Sequence, residues 1–337
     1  MSFPELTAAD ILSFQFSSWY PIFSSISIKS TVIRPLSQEF LDYLHSDGVH
    51  VPEGSDDLPA ESTLSDDEED AEKSDEDGEI RRFAFPELDV QIRAVISTYG
   101  AVFPKLNFSS PKDAAWILPV SSPLKCTSPA DVYMLLKSSD FVTHDLSPES
   151  VFDGCSSGPC PYELELVLRK WYPVDRSREL RCFVRQNTLL GISQRDTNYY
   201  DFLNDEPTQA RIVFTVRNFW ETNIRARWDA PDYTFDILLT RDLSRGHILD
   251  FNPYAPRTDA LLFSYESLHA LSLTPDSKIE KPELRVIDSR AHPAATSNAP
   301  AHQHNMIPFE ALSLSSGRDV QEFADAWEEG IKDSLKP

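Results

Sequence analysis

The chain has 337 residues, 41% of them hydrophobic, with 6 Trp, 11 Tyr and 20 Phe, enough apolar material for one large core or two closely joined ones. Its formal net charge of −23 is concentrated: from Ser55 to Glu79 thirteen Asp and Glu stand against one Lys, which leaves −11 for the rest. This balance provides no basic stripe for nucleic acid. No apolar run reaches membrane length, and the N-terminus lacks a signal peptide's basic start and apolar centre, so a cytoplasmic protein is expected. Cys126, Cys155, Cys160 and Cys182 match neither a disulfide framework nor a zinc set, and reduced thiols are expected.

Along the chain, SFQFSSWYPIF, SIKSTVI and SQEFLDYLHSD read as a folded N-terminal segment over 1–50, the second as a short strand and the third as a helix. Residues 51–80, including LSDDEEDAEKSDEDGE, carry no periodic apolar face and read as a disordered acidic insertion. Within it Ser65 and Ser74, each followed by acidic residues, resemble acidophilic kinase sites only weakly. FPELDVQIRAVISTYG predicts a helix closed by a glycine. VFPKLN and AAWIL predict strands, and SPADVYMLLKSSD a helix with Ser128 as N-cap and Pro129 in the first turn. YELELVLRKWYPV follows as a strand. LRCFVRQ and TLLGISQ form a hairpin through Gln186-Asn187, and ARIVFTVRNFWETNIRARW is a helix whose Ile212, Val216, Phe219, Trp220 and Ile224 share one face. YTFDILLTR and GHILDFNPY read as strands joined by a turn. Residues 291–304 are expected to be flexible and 305–337 helical. Helices with mainly antiparallel strands give an α+β fold. Neither dinucleotide nor P-loop glycine motif is present.

The two acidic strands carry the clearest chemistry. Asp250 and Asn252 are two apart and share a strand face, and a hairpin through Asp242–Gly246 brings Asp236 beside them. Asp236 lies within an apolar run, where a carboxylate is costly unless paired or metal-bound. Three hard oxygen ligands suit Mg²⁺ bridging nucleotide phosphates; a turn-capping or structural role is the alternative. Candidate phosphate contacts are Lys105 in VFPKLN, Lys112 beyond a Ser-Ser-Pro turn with free N–H groups, Arg181 on a strand, and Arg195 after another. Each alone also suits a salt bridge. Leu168-Arg169-Lys170-Trp171-Tyr172 leaves a buried strand and offers backbone groups to a base edge, or simply adds aromatics to a core.

VFPKLNFSSPKDAAWI, LVLRKWYPVDRSRELRCFVR, GISQRDTNYYDF and FDILLTRDLSRGHILDFNPY, with SFQFSSWYPIF and SIKS, together resemble the cell division cycle protein 123 family across nearly all of the chain outside the acidic and Ala/His-rich segments. The resemblance implies an ATP-grasp-like fold, with one lobe over 81–165 and a second, carrying the Mg·ATP site, over 166–290. It implies that Lys105 and Lys112 meet phosphates and that Phe108 and Ser110 lie in the loop over the nucleotide. Arg169, Lys170, Trp171 and Tyr172 would form the adenine hinge, with Glu179 near adenosine. Arg181 and Arg195 would reach phosphate, and Asp236, Asp250 and Asn252 would hold Mg²⁺. The family more often has Arg at the position of Lys112.

The resemblance also implies an assembly chaperone for eukaryotic translation initiation factor 2. Such a protein binds the C-terminal part of the γ subunit and promotes joining of α and β, with consequences for translation initiation and the cell cycle. A monomer without direct nucleic-acid or membrane contact is expected, with no established catalytic activity. The competing readings are an ATP-grasp carboxylate–amine ligase, which needs a second acceptor pocket, and a structural adaptor.

Overall fold

A computed structural model describes residues 3–56, 82–119, 122–156, 160–273 and 281–297. The N-terminal segment folds as α1 (Ala8–Ser13), α2 (Phe16–Phe23), β1 (Ser30–Ile33) and α3 (Gln38–His45). After the insertion come α4 (Pro86–Tyr99), β2 (Val102–Lys105), α5 (Pro129–Lys137), α6 (Pro148–Val151) and β3 (Leu166–Lys170). Then follow β4 (Glu179–Arg185), β5 (Thr188–Gln194), α7 (Glu206–Asn223), β6 (Tyr233–Leu239) and β7 (Gly246–Pro253). The chain continues with α8 (Tyr265–Ser272), β8 (Glu283–Arg285) and α9 (Pro293–Ser297). Met1–Asp196 with Asp205–Val286 forms one compact unit; Thr197–Asn204 belongs with the residues from Ile287 onward to a second.

The first unit contains two sheets. The smaller is antiparallel in the order β1-β3-β2; the larger runs β7-β6-β4-β5-β8, with only β8 parallel to its neighbour. The α+β class read from the sequence holds. β3, the strand inside YELELVLRKWYPV, begins at the start of the expected second lobe but pairs between β1 and β2.

Local chemistry explains most boundaries. The Ser128 hydroxyl accepts from Asp131 N while the Asp131 carboxylate accepts from Ser128 N, a capping box that starts α5. Gly100 closes α4 at φ +82°. Gln186 and Asn187 both have positive φ, as a two-residue turn matching strand twist requires. On α7 the expected apolar face is buried, and Trp220 Nε1 donates to Tyr233 Oη. AAWIL does not form a strand. Residues Lys112–Ala114 make a 3₁₀ turn, because the edge of β2 is already bridged: Val102 and Cys126 exchange both backbone hydrogen bonds. Asp113 also ties the turn down, accepting from Ser139 Oγ and the N–H groups of Asp140 and Phe141.

Two cores position the cleft. Behind the small sheet, Phe40, Tyr43, Phe83, Phe85 and Tyr133 pack with Ile92 and Val132. Behind β7, Phe251 stacks on Trp228 and Phe23 and meets Trp19. The α2 N-terminus is held by the buried Glu165 carboxylate, which accepts from Ser17 N and Gln15 Nε2. Burial pushes the Glu165 carboxyl up, against those hydrogen bonds and the pull of Arg34.

Residues 57–80 of the acidic insertion, with Ser65 and Ser74, lie outside the described residues, as do 298–304 of the expected flexible stretch and the expected C-terminal helix. The stem of the insertion is closed: Glu53 N donates to the Phe83 carbonyl, Glu53 bridges Ala84, and the buried Ser55 donates its hydroxyl to the Pro52 carbonyl. Replacing 57–81 by a short Gly/Ser linker while retaining Ser55 should change the melting temperature by less than about 2 °C, because loop length costs little once its ends are paired. Differential scanning calorimetry of both proteins checks this, and a cooperative loss of several degrees would refute it.

Candidate functional site

The site is built on one row of the large sheet. Arg181 on β4 pairs with Asp236 on β6, and Asp236 pairs with Asp250 on β7. The β6–β7 turn is organised by Asp242, which accepts from the Thr240 and Ser244 hydroxyls. A Cβ at Gly246 would meet Ile237 Cδ1 at 2.4 Å, so any larger residue there would push the Ile237 side chain aside. Register shifts between Asp236 and Ile237, where Leu249 is the extra residue on β7. The Leu249 carbonyl accepts from Arg169 Nη1 at 2.9 Å. Two carboxylates directly opposite one another repel, so cations must accompany them.

Arg181 supplies the main compensation. Its Nε and Nη2 donate to the two Asp236 oxygens at 2.8 and 2.9 Å, and its Nη1 donates to the Asp259 carbonyl. Arg195 Nε lies 3.2 Å from Asp236 Oδ2, while its Nη1 donates to Glu179 Oε2 at 3.1 Å. Burial alone would raise the Asp236 carboxyl; Arg181 first, then Arg195, hold it well below the usual carboxylate range. Burial likewise opposes the Arg181 charge, but Asp236 outweighs it and raises the guanidinium.

The small sheet contributes the other cations. Lys105, 0% exposed, donates to the Phe108 carbonyl at 2.9 Å and stands 3.4 Å from Asp250 Oδ2. Lys105 and Arg169 both lie over the Phe16 ring, at 5.4 and 5.6 Å. Arg169 is buried; its Nε and Nη2 have no hydrogen-bond partner among the described residues. Burial lowers its pKa, against the pull of Asp250.

A cavity of about 940 Å³ opens above this row. Of the expected site residues, Phe108, Ser110, Lys112, Arg169, Lys170, Trp171, Tyr172, Glu179, Arg181, Arg195, Asp236, Asp250 and Asn252 all line it. Lys105 does not; it stands behind Asp250, one layer down. Glu179 sits among the cations, 3.9 Å from Lys112 Nζ. Lys112 stands on the cavity wall with its side chain 45% exposed, between Glu179 and Arg195. At the expected hinge, the Lys170 and Trp171 N–H groups are already used on Lys29 and Ala101 carbonyls. The Tyr172 N–H makes no hydrogen bond among the described residues. In the Ser-Ser-Pro turn, Phe108 N and Ser109 N donate to Asp145, so among its N–H groups Ser110 is left to face a ligand.

Sequence reasoning missed several participants. Ile28, Phe103 and Leu249 add apolar wall, and Phe141 and His144 stand on the same side as Phe108. Phe16 supports two cations, and Asp145 holds a loop. Phe16, Ile28, Phe103 and Leu249 lie in segments that carry the family resemblance, whereas Phe141, His144 and Asp145 lie in none of them.

The donor set fits a hard cation in part. Asp250 is partly exposed, and the Asn252 amide makes no hydrogen bond among the described residues. No group of three or more Asp, Glu, His or Cys among the described residues could cage a metal. Asp250 and Asn252 suit Mg²⁺, which keeps water and substrate phosphate in its shell, whereas both Asp236 oxygens already accept from Arg181.

Fold and cleft thus define a two-sheet α+β protein with a basic, carboxylate-lined pocket. The D123 family model matches residues 19–315, and the chain belongs to that family, the Cdc123 proteins. A Schizosaccharomyces pombe protein named translation initiation factor eIF2 assembly protein is 37% identical over 335 residues, covering 96% of this chain and 97% of that one. A Xenopus laevis protein of the same name is 37% identical over 325 residues, covering 94% of each. The solved structure of Cdc123 from S. pombe matches at 36% identity with a TM-score of 0.67, covering 85% of this chain and all of the other. Among the described residues no helix is long and apolar enough to cross a membrane.

The buried ion pair gives a direct test of this architecture. Arg181→Met should destabilise by about 3–5 kcal/mol, since it strands a buried carboxylate, and Arg181→Met with Asp236→Asn should recover part of that loss. Because the Asp236 carboxyl is lowered in the folded state, its contribution is full above its unfolded value near about 4 and is lost as pH falls below that. Urea titrations at pH 7 and pH 3 should therefore show a smaller mutational loss at pH 3; an equal loss would contradict the pairing.

Proposed function

We propose that this protein binds ATP with Mg²⁺ in the cleft, in the manner of an ATP-grasp fold, and acts as an assembly factor for translation initiation factor eIF2. The observation that carries the nucleotide reading is the row Arg181–Asp236–Asp250, with Asn252 and the cations beside it. The assembly reading is carried by relatives named for eIF2 assembly that match over at least 94% of this chain.

In this reading Lys112 and Arg195 meet phosphate with Arg169 beside them, while Arg181, its fork on Asp236, and Lys105, behind Asp250, act through the carboxylates they neutralise. Arg suits two-pronged contact and Lys point contact. Phe108 and the Ser110 N–H cover the phosphates. Lys170, Trp171 and Tyr172 form the hinge, where the Tyr172 N–H meets the base edge between Ile28, Phe103 and Leu249, and Glu179 orients Lys112 and Arg195. Asp250 and Asn252 would hold Mg²⁺, which would neutralise charge shared between phosphate oxygens, while Asp236 stays on Arg181. The partner is the C-terminal region of the eIF2 γ subunit, to which α and β are then joined, by a monomeric chaperone in the cytoplasm, with effects on translation initiation and cell-cycle progression.

Isothermal calorimetry with ATP should give Mg²⁺-dependent binding that Asp250→Ala abolishes; undiminished affinity in that variant would remove the metal assignment.

Depleting the protein in its native cell should leave the γ subunit without α and β in pull-downs. Normal recovery of both would refute the assembly role. Full rescue by Asp250→Ala would keep that role and refute its nucleotide requirement.

A further inference from the structure

We propose that Asp145 is a positioning residue for the phosphate end of the cleft; the proposal rests on the nucleotide reading above. Asp145 is 0% exposed and lies in a 3₁₀ segment, Phe141–Leu146, far in sequence from the expected site. Its Oδ2 accepts from Phe108 N at 2.7 Å and Ser109 N at 2.8 Å. Its Oδ1 accepts from Ser109 Oγ at 2.7 Å and lies 3.0 Å from His144 Nδ1. Its own carbonyl accepts from Tyr162 Oη. One buried carboxylate thus fills the concavity made by two successive N–H groups, a geometry that otherwise captures anions.

The clamp has two consequences for the cleft. It turns the Phe108 carbonyl onto Lys105 Nζ, the cation that reaches Asp250. It also fixes the residue after Ser109: Ser110 lines the cavity, and its N–H has no partner among the described residues. Asn107 braces the loop from the other side: its Nδ2 donates to the Glu163 carbonyl and its Oδ1 accepts from Glu165 N. Losing the Asp145 carboxylate therefore leaves the loop attached while releasing the part that faces phosphate. A ligand group bound at the hinge is unaffected by this change.

The test is calorimetric titration of wild type, Asp145→Asn and Ser109→Ala with Mg·ATP and, separately, adenosine. Asn keeps the shape of Asp but turns an NH₂ toward N–H donors. Asp145→Asn should weaken ATP at least tenfold and leave adenosine within about twofold. Ser109→Ala, which removes only the hydroxyl donor, should lower the ATP-to-adenosine affinity ratio about two- to fivefold. Variants that melt like wild type and keep its affinity ratio overturn the assignment. If Asp145→Asn does not fold, an unchanged ratio in Ser109→Ala overturns it and a lowered ratio supports it. Wild type that binds no Mg·ATP overturns the nucleotide reading and this assignment with it, whereas unchanged variants of a wild type that binds overturn this assignment alone.

Discussion

Arg181 and Asp236 face each other on neighbouring strands, both almost wholly buried, with two hydrogen bonds between a planar fork and a planar carboxylate. Water cannot stabilise either charge there, so each depends on the other. The rest of the cleft follows from that dependence. With Asp236 neutralised from the β4 side, a second carboxylate, Asp250, can stand opposite it on β7. Asp250 in turn is approached from the small sheet by Lys105. Charge alternates across the cleft, each carboxylate beside a cation.

The charges rest on apolar packing that a polar site could not supply. The residue after Asp250 is Phe251, which stacks on Trp228 and Phe23 beneath the sheet. Phe16 from the same helix as Phe23 carries Lys105 and Arg169 on its ring. α2 therefore serves both the core of the large sheet and the cations of the small one. The buried Glu165 carboxylate caps its N-terminus and so helps set where that ring lies.

Two short backbone features convert these strands into a pocket wall. The bulge at Leu249 turns a carbonyl toward Arg169 while leaving Asp250 in register with Asp236, a use of bulges common beside functional sites. The Phe108–Ser110 turn is held from outside by Asp145 and ends on the cavity side. Both features re-aim single groups without disturbing the ladder around them.

Periodicity and capping chemistry were enough to read the helices α3, α4, α5 and α7, the β4–β5 hairpin and the acidic hairpin β6–β7, because those depend on residues a few positions apart. The same locality made Asp236, Asp250 and Asn252 legible: a carboxylate inside an apolar strand has few reasons to be there. AAWIL read as a strand because its apolar content is local, whereas the lack of a free sheet edge at Val102 is not. The resemblance to a family supplied residues that spacing alone left undecided, such as Ser110 and Glu179. Only the tertiary structure decided that β3 lies between β1 and β2, that Lys105 stands behind Asp250 rather than on the cavity wall, and that Asp145 and Phe16 take part. Those assignments join residues far apart in the chain, and which distant charge or ring meets which is set by packing of the two sheets, an outcome that no short window of sequence contains.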